Sequence, residues 1–70
     1  MGKKKTTNQK NPDALKEEGN IAFGNGNFRQ AVKCYTSAIE LNPGNHIYYA
    51  NRANANIELD NYTQAVADCD

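Results

Sequence analysis

The residues best equipped for chemistry in this sequence are one cation and several side-chain amides at helical spacing. Lys16, Asn20 and Phe23 stand at i, i+4 and i+7, so on a helix they share one stripe, separate from the apolar stripe of Leu15, Gly19 and Ala22. Ile47, Asn51, Asn54 and Glu58 form a comparable stripe further on, with Ile57 beside it. A lysine and asparagine amides facing one groove can hold a carboxylate by charge-assisted hydrogen bonds, each worth very roughly 1.5 to 3 kcal/mol when shielded from water. Lysines on helices are usually only solvated, and with eleven asparagines in the chain a coincidence is less telling than in an average sequence. Asparagine is nevertheless a poor helix-interior residue, and Asn20 and Asn51 both fall inside helical patterns where a better helix former is expected. Lys16, Asn20, Phe23, Asn51, Asn54 and Ile57 are therefore the candidate peptide-binding residues, with Arg52 and Tyr48 flanking them.

Other constellations carry less. Cys34, His46 and Cys69 lack the dense spacing of a zinc site, so neither a metal nor any other cofactor is expected. No third group stands ready to orient a nucleophile and a base, which argues against an enzyme. Both cysteines fall in helical patterns without an export signal ahead of them and read as reduced core residues. Asn61-Tyr62-Thr63 is a glycosylation sequon, but it serves better as a helix start.

Charge divides the chain unevenly. Lys3, Lys4, Lys5 and Lys10 stand among the first ten residues with no acid, and the other sixty carry four bases against eight acids. A folded part of that balance should not seek nucleic acid. The start, Met1-Gly2-Lys3-Lys4-Lys5-Thr6, formally fits the loose N-myristoylation pattern, yet a solvated, disordered basic tail over residues 1–10 accounts for the same residues. The longest apolar run, Ile47 to Ala50, is far short of the roughly 18 to 20 residues of a membrane span, and no secretory signal opens the chain. No membrane association is expected, and the cytosol is the default compartment.

The elements that must position the candidate residues repeat themselves. Comparison of each residue with the one 34 positions later matches Asn11 with Asn45, Asn20 with Asn54, Asn27 with Asn61, Phe28 with Tyr62, and Gln30-Ala31-Val32 with Gln64-Ala65-Val66. The punctuation predicts four helices, each opened by an asparagine. Asn11 precedes Pro12 and Asp13, and Gly24 and Gly26 close that first helix. Asn27 opens a second, whose Phe28, Ala31, Val32, Tyr35, Ala38 and Ile39 make one apolar stripe, and Asn42-Pro43-Gly44 stops it. Asn45 opens a third that runs to about Leu59, and Asn61 opens a fourth. Gly19 and Ala53, Ala31 and Ala65, and Ala38 are the small residues expected where paired helices touch.

Leu15, Gly19, Phe23, Ala31, Tyr35, Ala38 and Pro43 resemble the signature of the tetratricopeptide repeat. The likeness covers about residues 12 to 70 and implies an all-α fold of antiparallel helix-turn-helix repeats. One and a half to two repeats are expected, part of a right-handed superhelical solenoid: repeat 1 over about 12–45, and a second over about 46–70 that stops short of completion. Ala53, for the usual glycine, and Asn56, where an aromatic is common, depart from the pattern.

Within that family the sequence is similar to the co-chaperone subset that binds the Glu-Glu-Val-Asp C-termini of the seventy- and ninety-kilodalton heat-shock chaperones. The resemblance implies clamp roles for Lys16, Asn20 and Asn51. The lysine and arginine of a fifth helix have no counterpart within these seventy residues. Two alternatives stand beside it. Ala-Ile-Glu-Leu-Asn-Pro followed by Tyr-Tyr-Ala-Asn-Arg is also similar to the repeat arm of a serine/threonine phosphatase, and the repeats could be purely structural. Since a repeat buries its apolar face only against neighbours, self-association of the third and fourth helices is expected.

Overall fold

A computed structural model describes residues 11–69, and the expected basic tail of residues 1–10 lies outside them. The described chain forms three helices: α1 (Pro12–Gly24), α2 (Phe28–Leu41) and α3 (His46–Cys69). No strand occurs among the described residues, and the fold is all-α.

Helix α1 begins where local chemistry requires it. Asn11 adopts extended backbone, and its side-chain oxygen accepts the Ala14 amide at 2.7 Å, with Pro12 in the first helical position. The helix ends in a paired return of amides: Asn27 N–H donates to the Ala22 carbonyl (2.8 Å) and Gly26 N–H to that of Phe23 (3.0 Å). This Schellman arrangement needs a left-handed residue, which Gly26 supplies at φ 81°. The chain is thereby reversed within three residues, so α2 returns along α1. A second short turn, Asn42 to Asn45, sends α3 back along α2, and Asn45 accepts the Ile47 amide at 2.8 Å.

Helix α2 is the centre of the packing and contacts both neighbours. Its Ala31, Cys34, Tyr35, Ala38 and Ile39 are buried, with Phe28 and Val32 half-buried at the stripe's edge. Tyr35 packs with Ala22, Ala31 and Ala55, against which Phe23 and Val32 lean. Ala38 and Ile39 pack with Tyr48 and receive Leu15. Cys34 is buried and carries a free thiol.

The structure corrects the expectation of a fourth helix. Helix α3 runs on through Asn61 for 24 residues, about 36 Å at 1.5 Å per residue. The reason lies in the positions equivalent to the first turn: Glu58 and Asp60 stand where Gly24 and Gly26 stand one period earlier. Without a glycine there to take the left-handed conformation, the helical path continues. Thr63 donates its hydroxyl to the Leu59 carbonyl four residues back at 2.9 Å, which ties it into the helix instead of a turn. Ala53 and Ala65, expected at a helix–helix contact, are consequently exposed, and Ala55 is buried in their place. Tyr48 is corrected as well: it is a core residue at 1% exposure, not a flank of the groove.

Candidate functional site

The candidate groove lies where α1 and α3 approach over a floor made by α2. Asn20 and Phe23 of α1, Tyr35 of α2, and Asn51 and Asn54 of α3 line one cleft of about 140 Å³. Four of the six residues singled out by spacing are thus brought together. Helical periodicity does this on each wall: Asn20 and Phe23, like Asn51 and Asn54, stand at i and i+3, which keeps each pair on one face. Asn51 and Phe23 are half-buried, and Asn20 and Asn54 are exposed.

Lys16 stands one turn before Asn20 on the same stripe and does not line the cleft. Its side chain is 23% exposed, and its ammonium lies 3.7 Å from the Glu17 carboxylate, itself well exposed. Such an open pair is worth about 0 to 1 kcal/mol, so a better-shielded anion can draw the ammonium away. Ile57 is 57% exposed and lies outside the cleft. Arg52 donates to the Thr36 hydroxyl at 3.3 Å and its guanidinium sits 5.8 Å from the centre of the Tyr49 ring, which directs it to the α2 side.

Tyr35 is the groove residue that spacing did not single out. Its ring is 2% exposed, and its hydroxyl donates to Asn20 Oδ1 at 2.5 Å. The ring reaches that position because Gly19 has no side chain: a Cβ there would lie 2.5 Å from Tyr35 Cε1 and 2.8 Å from Cδ1. Burial, with the charges of Cys34 and Glu17 adding to it, raises the Tyr35 pKa above the ordinary tyrosine value, so the hydroxyl stays a donor. The sequence held one signal for this, a glycine within a helix one residue before a polar groove position. A second buried tyrosine, Tyr48, donates to Asp13 Oδ1 at 2.5 Å and joins the start of α1 to α3. That hydrogen bond, with burial and the Asp13 charge behind it, raises the Tyr48 pKa as well.

A larger opening of about 740 Å³ lies elsewhere, between the α1–α2 turn and the distal half of α3. Phe28, Leu59 and Tyr62 form its apolar wall and Arg29 brings its one cation. It exists because α3 runs straight past the turn. The described residues contain no cluster of His, Cys, Asp and Glu able to hold a metal ion, and no described helix is long and apolar enough to cross a membrane.

Fold and groove together define a helical-repeat module with an amide-lined cleft between its outer helices. Two tetratricopeptide repeat models match the sequence, over residues 12–45 and 34–67, and the chain belongs to the tetratricopeptide repeat family. It is 52% identical over 58 residues to the human small glutamine-rich tetratricopeptide repeat-containing protein beta, a match covering 83% of this chain and 19% of that protein. Against Hsp70-Hsp90 organizing protein 1 of Glycine max it is 47% identical over 56 residues, 80% of this chain and 10% of the relative. Human tetratricopeptide repeat protein 12 is 38% identical over 68 residues, 97% of this chain and again 10% of the relative. The chain therefore spans between a tenth and a fifth of the length of these relatives. No solved structure matches it.

Proposed function

We propose that this chain is a protein-binding module that takes the free C-terminal carboxylate of an acidic peptide, of the Glu-Glu-Val-Asp type that ends the seventy- and ninety-kilodalton heat-shock chaperones. The observation that carries the reading is the meeting of Asn20, Asn51 and Asn54 around one cleft, with Lys16 a turn away on the same stripe. A terminal carboxylate offers several acceptor lone pairs at one point, which suits converging amide donors and an ammonium. Half-buried Phe23 offers an apolar contact to the side chain of the preceding valine. The Glycine max relative, Hsp70-Hsp90 organizing protein 1, is named for the same two chaperone classes. The role is binding, not catalysis, and the cytosol is its compartment.

The test titrates the chain with a Glu-Glu-Val-Asp peptide and with its C-terminally amidated twin, then repeats both with Lys16→Ala and Asn51→Ala. The free acid should bind weakly, at hundreds of micromolar or above. Contacts from one cation and a few amides amount to only about 4 to 5 kcal/mol net. Each substitution should weaken it further. Equal binding of both peptides, or indifference to both substitutions, would leave the repeats a structural module.

A further inference from the structure

Asparagine is an ambiguous ligand for an anion, because its amide carries an acceptor oxygen on one side and two N–H donors on the other. Rotation about the last side-chain bond exchanges them, and the wrong rotamer points a carbonyl dipole at the carboxylate. An asparagine that recognises a carboxylate therefore gains from a neighbour that consumes its oxygen. Asn20 has such a neighbour. The Tyr35 hydroxyl donates to Asn20 Oδ1, and Tyr35 is held by burial among Ala22, Ala31 and Ala55. A phenolic hydroxyl can accept as well as donate, but a buried hydroxyl that accepted from the Asn20 N–H₂ would leave its own proton without this acceptor, so burial favours the sense in which Tyr35 donates to Asn20 Oδ1. The ring reaches Asn20 only because Gly19, the residue before it, leaves room. Tyr35 itself forms part of the cleft that Asn51 and Asn54 share.

We infer that Tyr35 is a positioning residue for ligand recognition: its hydroxyl locks the Asn20 amide with the N–H donors turned to the ligand, so that the cleft selects a carboxylate over a neutral chain end. This inference rests on the carboxylate reading of the groove and goes beyond it by assigning the source of its selectivity. Gly19, Asn20 and Tyr35 act as one unit, the glycine admitting the ring, the ring carrying the hydroxyl and the hydroxyl orienting the amide.

The test is Tyr35→Phe, which keeps the ring and removes the hydroxyl. The free-acid peptide and its amidated twin are titrated into wild type and variant, followed by two-dimensional NMR, with a urea melt of each protein beside it. Loss of the lock should weaken the free acid about three- to tenfold, the worth of one ordinary hydrogen bond. The amidated peptide should be nearly unaffected, so the ratio of the two affinities falls, which a loss of general stability would not produce. A wild type that prefers the free acid and a variant with the same preference would overturn the inference and leave the carboxylate reading standing. A wild type without preference would overturn both. If the variant fails to fold, the wild type decides: a slowly exchanging Tyr35 hydroxyl proton that moves with the free acid and not with its amide supports the lock, and its absence overturns it.

Discussion

Replacing Gly19 by alanine sets two physical effects against each other with opposite signs. Gly19 lies within α1, and glycine in a helix interior costs about 1 kcal/mol relative to alanine, so helix propensity alone makes Gly19→Ala stabilising. The surroundings say otherwise. The added Cβ would lie 2.5, 2.8 and 3.0 Å from Cε1, Cδ1 and Cζ of Tyr35, where carbon atoms rest at about 3.5 to 4.0 Å. Relief requires the ring to move by about 1 Å, and the ring is enclosed by Ala22, Ala31 and Ala55 and tied to Asn20. Overpacking of this kind costs about 1 to 3 kcal/mol, and with two ring atoms inside 3 Å the upper part of that range applies. The net expectation is a loss of about 1 to 2 kcal/mol, a large share of the stability of so small a domain. Urea melts followed by circular dichroism measure it. A double-mutant cycle isolates the clash, since in a Tyr35→Ala background Gly19→Ala should become stabilising. The sequence makes a parallel exchange one period later, where Ala53 replaces the glycine and Cys69 the tyrosine. Gly19→Ala more stable than wild type would refute the close approach of α1 to Tyr35.

Three further outcomes are expected. Tyr35 and Tyr48 both have pKa values raised above that of the unfolded chain, so their contribution is intact below about pH 10 and is lost as pH climbs through the raised values. Urea melts across the alkaline range should show falling stability, less steep in Tyr35→Phe and Tyr48→Phe, and a flat wild-type profile would contradict the two buried hydroxyls. Asn11→Ala removes the acceptor of the Ala14 amide and should cost about 1 kcal/mol of stability, read as a lowered melting temperature. The distal half of α3 leaves Ile57 at 57% and Tyr62 at 60% exposure, so sedimentation at rising concentration should show self-association, and a monomer at all concentrations would count against it.

Much of this architecture is written locally. Asn11-Pro12 starts α1, Gly26 ends it, Asn42-Pro43-Gly44 ends α2, and the α2 stripe from Phe28 to Ile39 contains half of the buried core, Ala31, Tyr35, Ala38 and Ile39. Each depends on neighbours within a turn or two, which is why spacing reveals it. The continuous α3 was misread, because the strong echo of Asn27-Phe28 in Asn61-Tyr62 pointed to a helix start and outweighed Glu58 and Asp60 at the glycine positions. Long-range pairings were not legible. Tyr48 reaches Asp13 across 35 residues, and Tyr35 reaches Asn20 across 15. Whether a tyrosine faces the core or a groove depends on how helices cross, and periodicity within one helix does not contain that angle. The same holds for Ala55 in place of Ala53.

The most direct test of the account asks where the peptide sits. Backbone and side-chain amide shifts of the labelled chain, followed during titration with the free-acid Glu-Glu-Val-Asp peptide, map the contact residue by residue. The account predicts movement concentrated on Lys16, Asn20 and Phe23 of α1 and on Asn51 and Asn54 of α3, with the side-chain N–H₂ signals of Asn20 and Asn51 among the largest. Shifts centred instead on Phe28, Leu59 and Tyr62 around the larger opening, or no shifts at all, would contradict it.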